Sequence, residues 1–157
     1  MTLTIDGKQV VAQPGQSLLD IIKSLGMEGK TVSQKPLAAK IAGEVFSLNY
    51  IPVREKDTHN DRPSIRRAMA ASGGIIQLLR ITDPAGRDVY DRTAQFVIFL
   101  AMHQLWPDAK AKMGCTVGPA LFVEVAHEEF SAEKLRHQVI AIVEQDLPLE
   151  RRRITTN

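Results

Sequence analysis

The pair Asp6-Gly7, set between two alternating runs, constrains this chain more than any other feature. Leu3 and Ile5 alternate with Thr2 and Thr4 before it, and Val10 and Ala12 continue an alternation after it. Both central residues of a type I′ turn need positive φ, which Asp tolerates and Gly accepts freely, so the pattern predicts a β-hairpin. Pro14-Gly15 then punctuates the chain. Ser17 is placed to N-cap a helix running to about Leu25, in which Leu18, Leu19, Ile21, Ile22 and Leu25 form one broad apolar face. Gly26 sits where a C-terminal helix glycine belongs.

Residues 37–41 and 45–48 read as two short strands around a turn at Gly43, and 75–81 (IIQLLRI) as a strand buried on both faces. Hairpin, helix, two strands and a last strand is the order of a ubiquitin-like β-grasp domain, a sheet wrapped over one helix. A polar, basic-leaning loop, residues 54–74, interrupts the approach to the last strand; loops of this length inside compact domains are functional or disordered. Asp83-Pro84-Ala85-Gly86 reads as a turn and the domain boundary. Beyond it, residues 93–106 (TAQFVIFLAMHQLW) are apolar nearly all round, which predicts a helix buried on several sides and stopped by Pro107. A short segment at 111–113, a turn at 114–119, a strand at 121–125, a helix capped by Ser131 and a strand at 149–154 complete the reading. The expected class is α+β in two parts, 1–82 and 83–157.

The totals narrow the function classes. Twenty basic against eighteen acidic residues leave a net charge of +2, too little to mark a nucleic-acid binder by itself. A single cysteine, Cys115, excludes an internal disulfide and fits a reducing compartment. MTLTIDGKQVV lacks the organisation of a signal peptide, and the apolar stretch 96–101 is far short of the ~20 residues that span a bilayer. The expectation is a cytoplasmic protein that does not engage a membrane.

Few residues carry chemistry. Gly29-Lys30-Thr31 imitates the end of a phosphate-binding loop, but the position of its first glycine is Ser24 and no strand precedes it. His59, His103, His127 and His137 are scattered without metal-ligand spacing, so neither a metal nor a cofactor is expected. His103 reads as a hydrogen-bonded or cap-like histidine. Cys115 reads as a small buried thiol, and as a nucleophile only if His127 comes close. Two arginine clusters remain: Arg62, Arg66 and Arg67 in the inserted loop, and Arg151, Arg152 and Arg153. Guanidinium groups bind phosphate oxygens bidentately, so each cluster is a candidate contact for RNA or a nucleotide. The competing reading is a solvated loop and an edge strand guarded by charge. Aromatics are 5% of the chain, which offers no obvious base-stacking platform.

Gln13-Pro14-Gly15-Gln16-Ser17-Leu18-Leu19-Asp20 and Leu37-Ala38-Ala39-Lys40-Ile41-Ala42-Gly43 carry a resemblance to the TGS domain. That small β-grasp unit is shared by threonyl-tRNA synthetases, certain GTPases and the stringent-response synthetases. Gln104-Leu105-Trp106-Pro107-Asp108-Ala109-Lys110, then 118–125, then 130–133 leading to Asp146-Leu147-Pro148, resemble the opening of the second additional domain that follows TGS in threonyl-tRNA synthetases. There the helix ahead of Leu105-Trp106-Pro107 carries an HxxxH pair of the editing site, and the matching positions here hold Arg92 and Phe96. The resemblance therefore implies that editing is lost. The phrase from Asp83 to Arg92 is closer to uridine kinase-like (nucleoside kinase) proteins, which carry the same two domains ahead of a kinase domain. The first expectation is thus a non-catalytic regulatory or ligand-binding region of a uridine kinase-like protein, with a kinase domain outside this chain. The alternatives are the N-terminal region of a threonyl-tRNA synthetase-like protein with editing lost, and a scaffold that forms a homodimer through the apolar 93–106 helix.

Overall fold

A computed structural model describes residues 1–52, 69–117 and 120–147, with the side chains of 115–117 left aside. The chain forms two compact units, Met1–Asp91 and Arg92–Asn157.

In the first unit, β1 (Thr2–Ile5) and β2 (Lys8–Val11) form an antiparallel hairpin with Ile5 opposite Lys8. Asp6 and Gly7 both take positive φ, 45° and 83°, as a type I′ turn requires. α1 (Leu18–Ser24) opens on a capping box: the Ser17 hydroxyl accepts from the Asp20 backbone N–H, and the Asp20 carboxylate accepts from that of Ser17. It closes on a Schellman motif. Gly26, at φ 64°, donates to the Lys23 carbonyl, and Met27 donates to that of Ile22. β3 (Pro36–Ile41) and β4 (Glu44–Phe46) follow, joined by Ala42 and Gly43 at φ 48° and 89°. β5 (Ile75–Arg80) then enters the middle of the sheet, giving the order β2-β1-β5-β3-β4. It runs parallel to β1 and antiparallel to β3, so the sheet is mixed.

Period-two alternation sets the core. Leu3 and Ile5, Ile76 and Leu78, and Ala39 and Ile41 share one sheet face and are buried with Leu18, Ile21 and Ile22 of α1. Each large side chain fully buried here stabilises the fold by about 1.5–3 kcal/mol. β5 departs from the sequence expectation of burial on both faces. Ile75 is 61% exposed and Gln77 is exposed, because α1 covers only one side. Leu79 is the exception: it pairs with Ala38 and both are buried on the opposite face. The chain reaches β5 through a helical turn at residues 69–71, from which Met69 joins the core. Gly74, at φ 79°, accepts from the Thr4 N–H at its carbonyl; a Cβ there would lie 2.9 Å from the Thr2 oxygen.

α2 (Pro84–Leu105) begins nine residues before the expected start at 93. Proline is at home in the first helical position, where its missing N–H costs nothing, so the Asp83-Pro84 signal read as a turn is a helix start. Arg87 donates the first helical bond to the Asp83 carbonyl at 2.8 Å.

In the second unit, β6 (Lys110–Val117) and β7 (Ala120–Ala126) form an antiparallel hairpin, with an irregularity in register between Met113 and Thr116. The expected turn at 114–119 is shorter, because pairing resumes at Thr116–Leu121 and Val117–Ala120. α3 (Ala132–Glu144) is capped by the Ser131 hydroxyl, which accepts from the Lys134 N–H. Gln138 of α3 donates to Gln104 of α2 at 2.7 Å. Among the described residues of this unit only Ala101, Met102, Trp106 and Ile142 are buried. α2 is therefore covered on one side and not on several. The expected strand at 149–154 lies outside the described residues.

Candidate functional site

The most structured polar corner of the second unit forms where α2 stops. Trp106 donates to the Met102 carbonyl at 2.7 Å, Pro107 prevents continuation, and Ala109 returns a bond to Trp106. The buried Trp106 ring packs against Phe130, with centroids 5.3 Å apart, and against His127 at 5.8 Å. Pairing of Lys110 with Ala126 brings Asp108 and His127 to the same end of the hairpin. His127 Nδ1 accepts from the Glu129 backbone N–H at 3.1 Å, which assigns the ring proton to Nε2. That nitrogen lies 3.5 Å from Asp108 Oδ1, beyond a strong hydrogen bond. Asp108, Lys110, Ala126, His127, Glu128 and Glu129 line an open cleft of about 600 Å³.

Among the described residues, this corner holds acids and a histidine but no nucleophile. Cys115 lies on β6 five residues beyond Lys110, roughly 16 Å along the strand from the His127 end. The conditional pairing of Cys115 with His127 is thereby overturned, and the reason is strand register. His127 instead anchors the chain reversal after β7.

Along α2, Arg92, Phe96, Phe99 and His103 recur at spacings of four, three and four and are all exposed, Phe96 at 51%. They occupy the side of the helix away from buried Ala101. His103 is thus a solvent-facing residue of the last helical turn and is not a buried one. Phe99, Met102, His103 and Trp106 also line a smaller cleft of about 280 Å³. Phe122 on β7 is exposed as well. Accessible aromatic faces therefore exist despite the low aromatic content, which a count of residues could not show; the 3.6-residue period placing Phe96 and Phe99 with Arg92 was the available signal.

In the first unit, the hairpin carboxylate of Asp6 accepts from the buried Leu78 N–H at 2.9 Å and pairs with Arg80 Nη2 at 2.9 Å. Arg80 also donates to the Gln34 carbonyl, and its backbone N–H donates to Asp83 at 2.7 Å. These contacts tie the first turn, the loop after α1 and the start of α2 to the end of β5. Gly29-Lys30-Thr31 leads into a turn closed by Gln34, whose side chain accepts from Lys30 N, and then into β3. No helix follows to aim backbone N–H groups at a phosphate.

Arg62, Arg66, Arg67, Arg151, Arg152 and Arg153 lie outside the described residues, as does His59. Among the described residues, no three His, Cys, Asp or Glu side chains are grouped to hold a metal ion. No described helix is long and apolar enough to cross a membrane.

The sequence matches no family model. It is similar to threonine–tRNA ligases: 23% identical over 141 residues to that of Desulforamulus reducens, covering 87% of this chain and 19% of the relative. Identity is 26% over 150 residues with the ligase of Hyphomonas neptunium, covering 93% and 20%. It reaches 29% over 119 residues with that of Acetivibrio thermocellus, covering 73% and 16%. The chain thus spans about a fifth of the length of the curated relatives it matches. An α+β chain with a mixed sheet, similar over most of its length to one region of a tRNA ligase, is the class that fold and comparison together define.

Proposed function

We propose that this chain is a threonyl-tRNA synthetase-like N-terminal region that binds RNA and performs no editing. The observation that carries the reading is the similarity to threonine–tRNA ligases over most of the chain. The five-stranded mixed sheet over α1 supports assigning residues 1–82 as a TGS-type β-grasp domain. Residues 83–157 are then the opening of the second additional domain. The comparisons favour this reading over the uridine kinase-like one, since the relatives they return are tRNA ligases.

The loss of editing rests on Arg92 and Phe96. They lie one turn apart on an exposed side of α2, the positions at which the resemblance puts an imidazole pair. A guanidinium stays protonated at neutral pH and a phenyl ring carries no proton, so neither can shuttle one. Binding then falls to surface charge and accessible rings, with Arg62, Arg66, Arg67 and Arg151 to Arg153 as the proposed phosphate contacts. The test is incubation of the chain with mischarged tRNA. Release of the amino acid at the uncatalysed rate is expected, and release well above it would overturn the loss of editing.

A further inference from the structure

We propose that the exposed side of α3 is a self-complementary docking surface for a second copy of this chain, paired antiparallel about a two-fold axis at Ile140. α3 has two unlike sides. Ile142 is buried and Leu135 and Val139 are half-buried, whereas Ile140 is 42% exposed and Val143 62%. Leu147, just past the helix end, is 52% exposed. Such apolar exposure on the outer side of an amphipathic helix is unusual in a chain that stays alone.

Charge selects the occupant. Arg136 lies one turn before Ile140 and Glu144 one turn after it, on the same side of the helix. Both are exposed, and neither makes an ion pair or hydrogen bond among the described residues. An antiparallel pairing centred on Ile140 sets Arg136 of each copy against Glu144 of the partner subunit, twice by symmetry. His137 then faces an apolar position, Val143 of the partner subunit, and Glu133 falls beyond the partner's last helical turn, so no like charges are opposed. A parallel pairing would set Arg136 against its own equivalent. A polyanion such as RNA would gain Arg136 but meet Glu133 and Glu144 across an apolar seam, a poorer match than a second copy.

Sedimentation analysis of the 157-residue chain over a rising concentration series tests this. A monomer–dimer equilibrium is expected, with Ile140→Glu, Arg136→Glu and Glu144→Arg each weakening association at least tenfold. The double variant Arg136→Glu/Glu144→Arg is expected to recover it, because the pairs re-form with reversed signs. All of these positions are exposed, so far-UV circular dichroism and unfolding temperature should match the parent. A monomer throughout the series overturns the proposal. So does a dimer indifferent to Ile140→Glu, or a double variant no better than the single ones. A monomer whose Ile140 and Val143 methyl resonances shift on adding tRNA would assign the surface to nucleic acid and equally overturn it.

Discussion

Replacing Gly86 by alanine should destabilise the first unit, although the same change in most helix interiors stabilises. A Cβ built on Gly86 would lie 1.9 Å from the Arg80 carbonyl oxygen and 2.6 Å from its carbonyl carbon. Both are backbone atoms, so no rotamer can relieve the clash. The Arg80 carbonyl also accepts from Asp83 N–H at 2.9 Å, and the Arg80 N–H donates to Asp83 at 2.7 Å. Moving the start of α2 away from β5 strains this bonded turn. Overpacking costs about 1–3 kcal/mol, and one loosened hydrogen bond about 1 kcal/mol. Alanine's helix preference returns up to about 1 kcal/mol. The net expectation is a loss of about 2 kcal/mol, or a fall of about 8–16 °C in Tm for a unit of this size. Thermal and urea unfolding of the parent and Gly86→Ala, followed by circular dichroism, provide the measurement. An unchanged or raised Tm would refute the close approach of α2 to Arg80.

Ala42 sits at φ 48° in the β3–β4 turn, a conformation that asparagine tolerates better, so Ala42→Asn should raise stability by about 1 kcal/mol in urea unfolding. Asp6→Ala leaves the Leu78 N–H, on a residue 1% exposed, without its acceptor and should cost about 1–3 kcal/mol. Asp6→Asn keeps an acceptor oxygen and a residue at ease with positive φ, and should cost clearly less; equal losses would contradict the hydrogen-bond account. The Asp20 carboxyl is held below its ordinary range, first by the Ser17 hydroxyl and then by the Ser17 N–H. A depressed folded value means stability that is present above the unfolded pKa, about 4, and lost as pH falls through the folded one. The stability gap between the parent and Asp20→Asn should therefore be constant above pH 5 and shrink below about pH 4, and a gap unchanged down to pH 2 would count against the capping box.

The local signals of the first unit were legible because each is fixed by short-range chemistry. Asp6-Gly7 specified its turn, Ser17 and Gly26 bounded α1, and the alternation of Leu3 with Ile5 specified the core face. What failed depended on distant partners. Burial of 75–81 could not be read without knowing that α1 covers one face, and Pro84 was ambiguous between turn and helix start until its neighbours were placed. The Cys115–His127 question turned on strand register, which single-sequence spacing does not contain. Exposure of Phe96 and Phe99 was hidden for a similar reason: an apolar run implies burial only when enough neighbouring surface exists to cover it.

Equilibrium binding of fluorescently labelled tRNA, followed by anisotropy over a salt series, tests the proposed RNA-binding role most directly. The account predicts saturable binding at low salt, in the range of about 1–100 µM. Affinity should fall steeply as salt rises, and more shallowly once Arg151, Arg152 and Arg153 are replaced together by alanine, because fewer counterions are then released. No change in anisotropy at low salt across that concentration range would contradict it.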